Sequence, residues 1–166
     1  MNESYAEFLV KRKTPVYAPA LTGVLGVLTA VMVLAAFSGN MIAMIGMFVM
    51  GFLTYLSFRN TKVEFEYLFV TGIFSVDKVL GQAKRKKTFE CTIDDIQIVA
   101  PTGSDALNDH KVQNQKVLDC TSKTEHAKTY TMIVQAGAEN TRLIFEPNDK
   151  MIQCLYQAAP RKVKRQ

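Results

Sequence analysis

Residues 14–58 contain no Asp, Glu, Lys, Arg or His. Soluble folds rarely run that far without a charge, so this absence alone splits the chain into an apolar segment and a polar remainder. Histidine is nearly missing as well: His110 and His126 are the only two, both in polar stretches and neither near a cysteine. The three cysteines, Cys91, Cys120 and Cys154, are isolated and lack CxxC spacing. That pattern excludes a disulfide framework and a zinc motif, and fits small buried hydrophobes in a reducing compartment. No P-loop, glycine-rich dinucleotide loop or nucleophile elbow is present. No catalytic residue, cofactor site or metal ligand is expected, and the chain reads as a non-enzyme.

The charge that is present is unevenly placed. Three of the 20 basic and two of the 15 acidic residues precede the apolar stretch, which leaves 17 and 13 after it. That excess is too mild to imply nucleic acid. It is concentrated in Lys84-Arg85-Lys86-Lys87 and in Arg161, Lys162, Lys164 and Arg165.

The apolar segment (15–59) reads as a transmembrane hairpin. Its first run, 17–37, covers about 30 Å at about 1.5 Å per residue, the thickness of a bilayer's hydrocarbon core. Ser38-Gly39-Asn40 makes a polar turn, and a second run follows over 41–58. Lys11, Arg12 and Lys13 precede the first run and Arg59 and Lys62 follow the second, with no basic residue in the turn. The positive-inside bias therefore places both termini in the cytoplasm of a multi-pass protein of the cell membrane. A cleaved signal peptide is the rival reading, but its apolar core would span only about 7–15 residues. Thr22, Gly26 and Ala30 recur every four residues, a small-residue stripe for close helix packing. Met41, Met44, Met47 and Met50 recur every three, and packing accounts for them better than soft-metal transport. Within 1–14, a cytoplasmic segment, Tyr5, Phe8 and Leu9 fall at helical spacing between Glu3, Glu7 and the basic residues. That suggests an interfacial amphipathic helix, with a frayed end as the alternative.

From Val63 the period becomes two. Val63, Phe65, Tyr67 and Phe69 alternate with Glu64 and Glu66, and Thr71-Gly72 turns into a second strand over 74–80. Phe89, Cys91, Ile93, Ile96 and Ile98 predict one bulged strand or two short ones around Asp94-Asp95. Residues 101–115 read as a mobile loop; 117–121, 130–135 and 141–146 read as strands. Asn148 is placed to cap a helix bearing Met151, Ile152, Leu155, Tyr156 and Ala159, which Pro160 ends. Six or seven antiparallel strands over 60–160 with a C-terminal helix match a pleckstrin-homology-like half barrel, or else a generic α+β meander. A basic tail, 161–166, follows.

Several segments carry a resemblance. Glu64-Phe65-Glu66-Tyr67 with Thr71-Gly72 and Val76-Asp77-Lys78-Val79, the basic run, Asp94-Asp95-Ile96 and Val117-Leu118-Asp119 are among them. Thr141-Arg142-Leu143-Ile144-Phe145-Glu146-Pro147-Asn148-Asp149-Lys150-Met151 and Pro160-Arg161-Lys162-Val163 complete the set. Together they resemble a family of small, uncharacterised bacterial membrane proteins, a domain of unknown function. That resemblance implies no activity and no site residues. The element order is also similar to bacterial pleckstrin-homology-type membrane proteins, a likeness of fold alone.

Two sets of residues are candidates for function. Lys84, Arg85, Lys86 and Lys87 would contact anionic lipid head groups if held near the inner leaflet. Thr22, Gly26 and Ala30 would pack against another helix. The reading is a membrane-anchored binding or scaffold module that takes a protein partner or a second copy of itself. The alternatives are a sensor of anionic lipid surfaces and an accessory subunit of a larger membrane complex or transporter.

Overall fold

The structure, a computed structural model, describes residues 5–81, 84–110, 115–137 and 139–165. It divides into two compact units: Lys13–Val63 with Leu80–Lys84, and Met1–Arg12, Glu64–Val79 and Arg85–Gln166 together.

In the first unit, α1 (Tyr17–Phe37) and α2 (Met41–Thr61) form an antiparallel hairpin around Ser38–Asn40. Asn40 caps α2, its Oδ1 accepting the amide hydrogens of Ile42 and Ala43 at 3.0 and 3.3 Å. Both helices are long and apolar enough to cross a membrane, with mean hydropathies of 2.3 over α1 and 1.9 over Met41–Arg59. Gly81 packs on the end of α2, its amide donating to the Lys62 carbonyl at 2.9 Å. It sits at φ +58°, and a Cβ there would lie 3.2 Å from Arg59 Cγ, so only glycine fits without strain.

The second unit begins with a strand. The segment expected as a surface helix is β1 (Tyr5–Lys11), antiparallel to β2 (Val63–Val70). Ala6, Phe8 and Val10 alternate along it and face Phe69, Tyr67 and Phe65, and this period of two outweighs the helical spacing of Tyr5, Phe8 and Leu9. Residues 1–4, Glu3 among them, lie outside the described residues. The domain is therefore not contiguous over 60–160: the helical hairpin is inserted between its first two strands.

β3 (Ile73–Leu80) follows β2 through Thr71 and Gly72, both at positive φ, as a two-residue type I′ turn requires. β4 (Lys84–Thr92) completes a sheet of order β1-β2-β3-β4. The basic run is thus strand, not loop. Asp94 and Asp95 lie in the turn before β5 (Ile96–Pro101), where Asp95 accepts hydrogen bonds from the Thr92 amide at 3.1 Å and hydroxyl at 2.7 Å.

The second sheet has the order β5-β7-β8-β6, with β6 (Lys116–Asp119), β7 (Tyr130–Ala136) and β8 (Glu139–Phe145). β6 runs parallel to β8, against the all-antiparallel expectation, because the chain crosses over through 120–129 before β7 begins. The expected loop 101–115 contains a 3-10 helix, Asp105–His110, and its residues 111–114 lie outside the described residues. The two sheets do not close into a barrel among the described residues.

The sheets share one core. Tyr67 stands edge-on to Phe145 with ring centroids 5.8 Å apart, and Phe74 meets Phe145 at 5.3 Å. α3 (Asp149–Ala158), capped by Asn148 at 2.8 Å from the Met151 amide, buries Met151, Ile152, Cys154 and Leu155 and packs against β1. The basic tail is docked rather than free. Val163 is buried and bridges Val99 in parallel, covering the open edge of β5, while the Lys162 ammonium donates to the Ile93 and Asp94 carbonyls at 2.9 Å each. Gln166 lies outside the described residues.

Candidate functional site

β4 is an outer strand of its sheet, and Lys84, Arg85, Lys86 and Lys87 are all exposed on it. Two of these cations are already engaged. The Arg85 guanidinium lies 3.1 Å from Glu66 of β2, and Lys87 pairs with Glu90, which raises the Lys87 pKa. Lys84 and Lys86 form no ion pair among the described residues. Lysine on an exposed outer strand also discourages a second sheet from pairing there, so the run protects an edge whatever else it does.

The small-residue stripe separates. Thr22 faces α2, with its hydroxyl 2.9 Å from that of Ser57. A Cβ on Gly26 would meet nothing, and Ala30 is exposed, so neither packs the hairpin. The helix contact follows a different line. Thr29 and Thr54 hydroxyls meet at 3.0 Å, and Gly46 and Gly51 take up Met32 and Thr29. Thr22 and Thr29 are seven apart and Thr54 and Ser57 three apart, the heptad spacing of a helix seam. Each threonine hydroxyl also reaches its own i−4 carbonyl at 2.8–2.9 Å, the arrangement by which a hydroxyl is tolerated in apolar surroundings. Met41 and Met44 are exposed; Met44 and Met47 line an apolar cavity of about 240 Å³ with Val33, Ala36 and Phe37.

One feature the sequence pattern did not suggest lies on the outer face of the first sheet. Glu64 and Glu66, which alternate with the apolar side chains of β2, are buried as well. Lys11 covers Glu64 at 3.8 Å, and Arg85 covers Glu66. Beside Glu66 is a cavity of about 280 Å³ lined by Tyr5, Glu7, Glu66, Leu68, Asp77 and Arg85. Burial pushes the Glu66 carboxyl up, and a hydrogen bond with Glu7 adds to the shift. Glu7 is held below its usual range, first by the Tyr5 hydroxyl and then by Glu66. The register that brings these groups together, Glu7 opposite Leu68 and Leu9 opposite Glu66, exists only because β1 pairs with β2. The alternation of Glu64 and Glu66 was the available signal; their cover was not.

His126 is exposed in a left-handed turn, and no group of three or more histidine, cysteine or acidic residues among the described residues could hold a metal ion. A second groove, of about 600 Å³, runs between α3 and the starts of the 127–130 and 101–102 segments, with Lys128 and Arg165 on its rim. Arg165 there stacks on Tyr156 at 4.1 Å.

No curated protein matches the chain. The family model described as Bacterial PH-like domain (DUF6106) matches residues 2–165, which includes β1, the inserted hairpin and the docked tail.

Proposed function

Since the chain belongs to this family of uncharacterised bacterial PH-like domains, we propose that it is a membrane-anchored, non-catalytic binding module. Its PH-like domain would be presented at the cytoplasmic face of the cell membrane to a protein partner. The observation that carries this reading is the insertion itself: an apolar hairpin leaves from β1 and returns into β2, so both connections depart from one strand pair. Lys11, Arg12 and Lys13 lie on one connection and Arg59 and Lys62 on the other, which favours the cytoplasmic side for both. Arg59 lies over the Tyr55 ring and Lys62 over Phe58, the aromatic-cation pairing typical of a membrane interface. A non-catalytic role is supported by the thiols: burial pushes Cys91 up to about 12 and Cys120 up to about 11, so neither supplies a thiolate near neutral pH.

A reporter enzyme active only outside the cytoplasm tests the orientation. Fused after Gln166 it should be silent, and inserted between Gly39 and Asn40 it should be active. The reverse pattern would overturn the reading.

Lys84 and Lys86 favour a second role for the same domain, contact with anionic lipid. With two unpaired cations rather than four, the expected attraction is about 2 kcal/mol. In bilayers of anionic lipid the β4 amides should exchange hydrogen more slowly than in zwitterionic bilayers, and Lys84→Gln with Lys86→Gln should erase the difference. Equal exchange in both bilayers would leave β4 as a protected edge only.

A further inference from the structure

The outer strands of the two sheets are treated differently by the fold. β5 is bridged by Val163 of the tail, whose neighbours Lys162 and Lys164 make backbone hydrogen bonds with Val99 at 2.8 Å each. β1 has α3 packed against it, with the Cys154 thiol 3.9 Å from the Tyr5 carbonyl. β6 is only four residues long. β4 is nine residues long, and no strand of the described residues pairs along its outer side. An open edge of that length invites uncontrolled pairing, and lysines on it keep neutral and basic strands away. The same charge admits a strand that brings carboxylates.

The side chains of β4 agree with that reading. Arg85 turns to Glu66, 3.1 Å away, so alternation turns its neighbours Lys84 and Lys86 to the other face. Neither lysine has a carboxylate partner among the described residues. Where a carboxylate is within reach the run already holds one, Glu66 at Arg85 and Glu90 at Lys87. With four cations and one glutamate, the strand carries a net charge of +3 (4 − 1).

We infer that β4 is the docking edge for an extended acidic segment of another protein, which joins the first sheet as a fifth strand. That assignment rests on the reading of the chain as a module for a protein partner, and adds where the partner binds and with what chemistry. Opposite charges directly across two strands attract and like charges repel, so the segment carries a carboxylate at every second residue, on the face of Lys84 and Lys86. Backbone hydrogen bonds give such strand addition its affinity, and the side chains give it selectivity. A second copy of this chain suits the edge less well. The antiparallel register centred on Thr88 sets Lys86 opposite Glu90, yet it doubles the net positive charge along one seam. The alternating acidic segment of the chain itself, Glu64-Phe65-Glu66, is already inside the same sheet, in β2. An anionic lipid surface meets the two ammonium groups but has no row of donors and acceptors to match a strand edge.

The test uses the full chain in zwitterionic detergent. Backbone amide NMR shifts and hydrogen exchange are followed on adding a capped nine-residue peptide that alternates glutamate and threonine, a residue that favours strands. The same peptide methylated on every backbone nitrogen keeps the charge and loses the N–H donors, and a peptide alternating lysine and threonine reverses the charge. The acidic peptide should give saturable shifts centred on β4 and slow the exchange of its amides, with affinity falling as salt rises. Lys84→Gln with Lys86→Gln should weaken binding about five- to tenfold, the value of two cross-strand charge pairs. Neither control peptide should saturate. Binding in detergent does not depend on which side of a membrane the domain faces, so its failure leaves the orientation to the reporter assay. Absence of saturation, equal binding of the methylated peptide, or shifts centred away from β4 would overturn the inference. So would β4 amides protected without peptide, whether in a dimer of the chain in detergent or in bilayers of anionic lipid to which the peptide adds no further protection.

Discussion

Lys11 and Glu64 are the last partners of the β1–β2 pair, with side chains 3.8 Å apart, yet α1 and α2 lie between them in the chain. A long apolar excursion thus takes the place that a short turn occupies in an ordinary hairpin. The first strand belongs to the PH-like domain and not to the hairpin. Three consequences for stability can be measured, and a fourth measurement tests the insertion itself.

Tyr67 ties the two sheets together. Its hydroxyl donates to the Cys120 carbonyl at 2.7 Å and accepts the Glu146 amide at 3.3 Å. Tyr67→Phe keeps the ring between Phe8 and Phe145 but leaves a carbonyl and an amide without their partner. The cost should be about 1–3 kcal/mol in denaturant unfolding, since a buried polar group left unsatisfied carries a penalty of that order. An unchanged midpoint would mean that water satisfies both groups.

Leu155 is buried in the face that α3 turns toward β1. Leu155→Ala should cost about 2–5 kcal/mol, the range for truncating a core leucine. A loss of a few tenths would show that α3 is not part of the cooperative unit.

Asp95 gives a dependence on pH with a definite sign. The Thr92 hydroxyl and then its amide hold the Asp95 carboxyl below the usual carboxylate range. A folded pKa below the unfolded one stabilises the fold above the unfolded value, and that contribution is lost as pH falls through the folded value. Asp95→Ala should therefore be less stable than the parent near neutral pH, with the gap closing as the solution is acidified past the lowered pKa. A gap that stays constant with pH would mean that the turn is lost for steric reasons.

The ends of α1 were legible because charge is absent over the whole run, and the β2–β3 hairpin because Thr71-Gly72 sits between alternating strands. β1 was not legible because its partner lies beyond the hairpin and because Tyr5, Phe8 and Leu9 also satisfy a helical period. The strand at β6 is legible over 117–121, but its parallel direction is not: four residues paired with a strand beyond β7 leave no local turn signal. In the helices, the four-residue spacing of small residues picks out Thr22, Gly26 and Ala30, of which only Thr22 lies on the contact line formed by the hydroxyls of Thr22, Thr29, Thr54 and Ser57. The cavity at Glu66 needs groups from four strands, and only the basic run and the alternating glutamates were visible beforehand.

The central claim is that the domain is closed by a strand on the far side of the apolar hairpin, and two soluble chains test it directly. In one, residues 5–11 are joined to 64–165 through Asn-Gly, a two-residue turn that suits the Lys11–Glu64 register. In the other, 64–165 stand alone. Burial of Val10 and partial burial of Phe8 against β2 should make the joined chain more stable in chemical denaturation by about 2–5 kcal/mol, taking about 1.5–3 kcal/mol for a fully buried large apolar side chain and less for a half-buried one. The joined chain should also protect the β2 amides from hydrogen exchange. Equal stability and equal protection in the two chains would contradict the account.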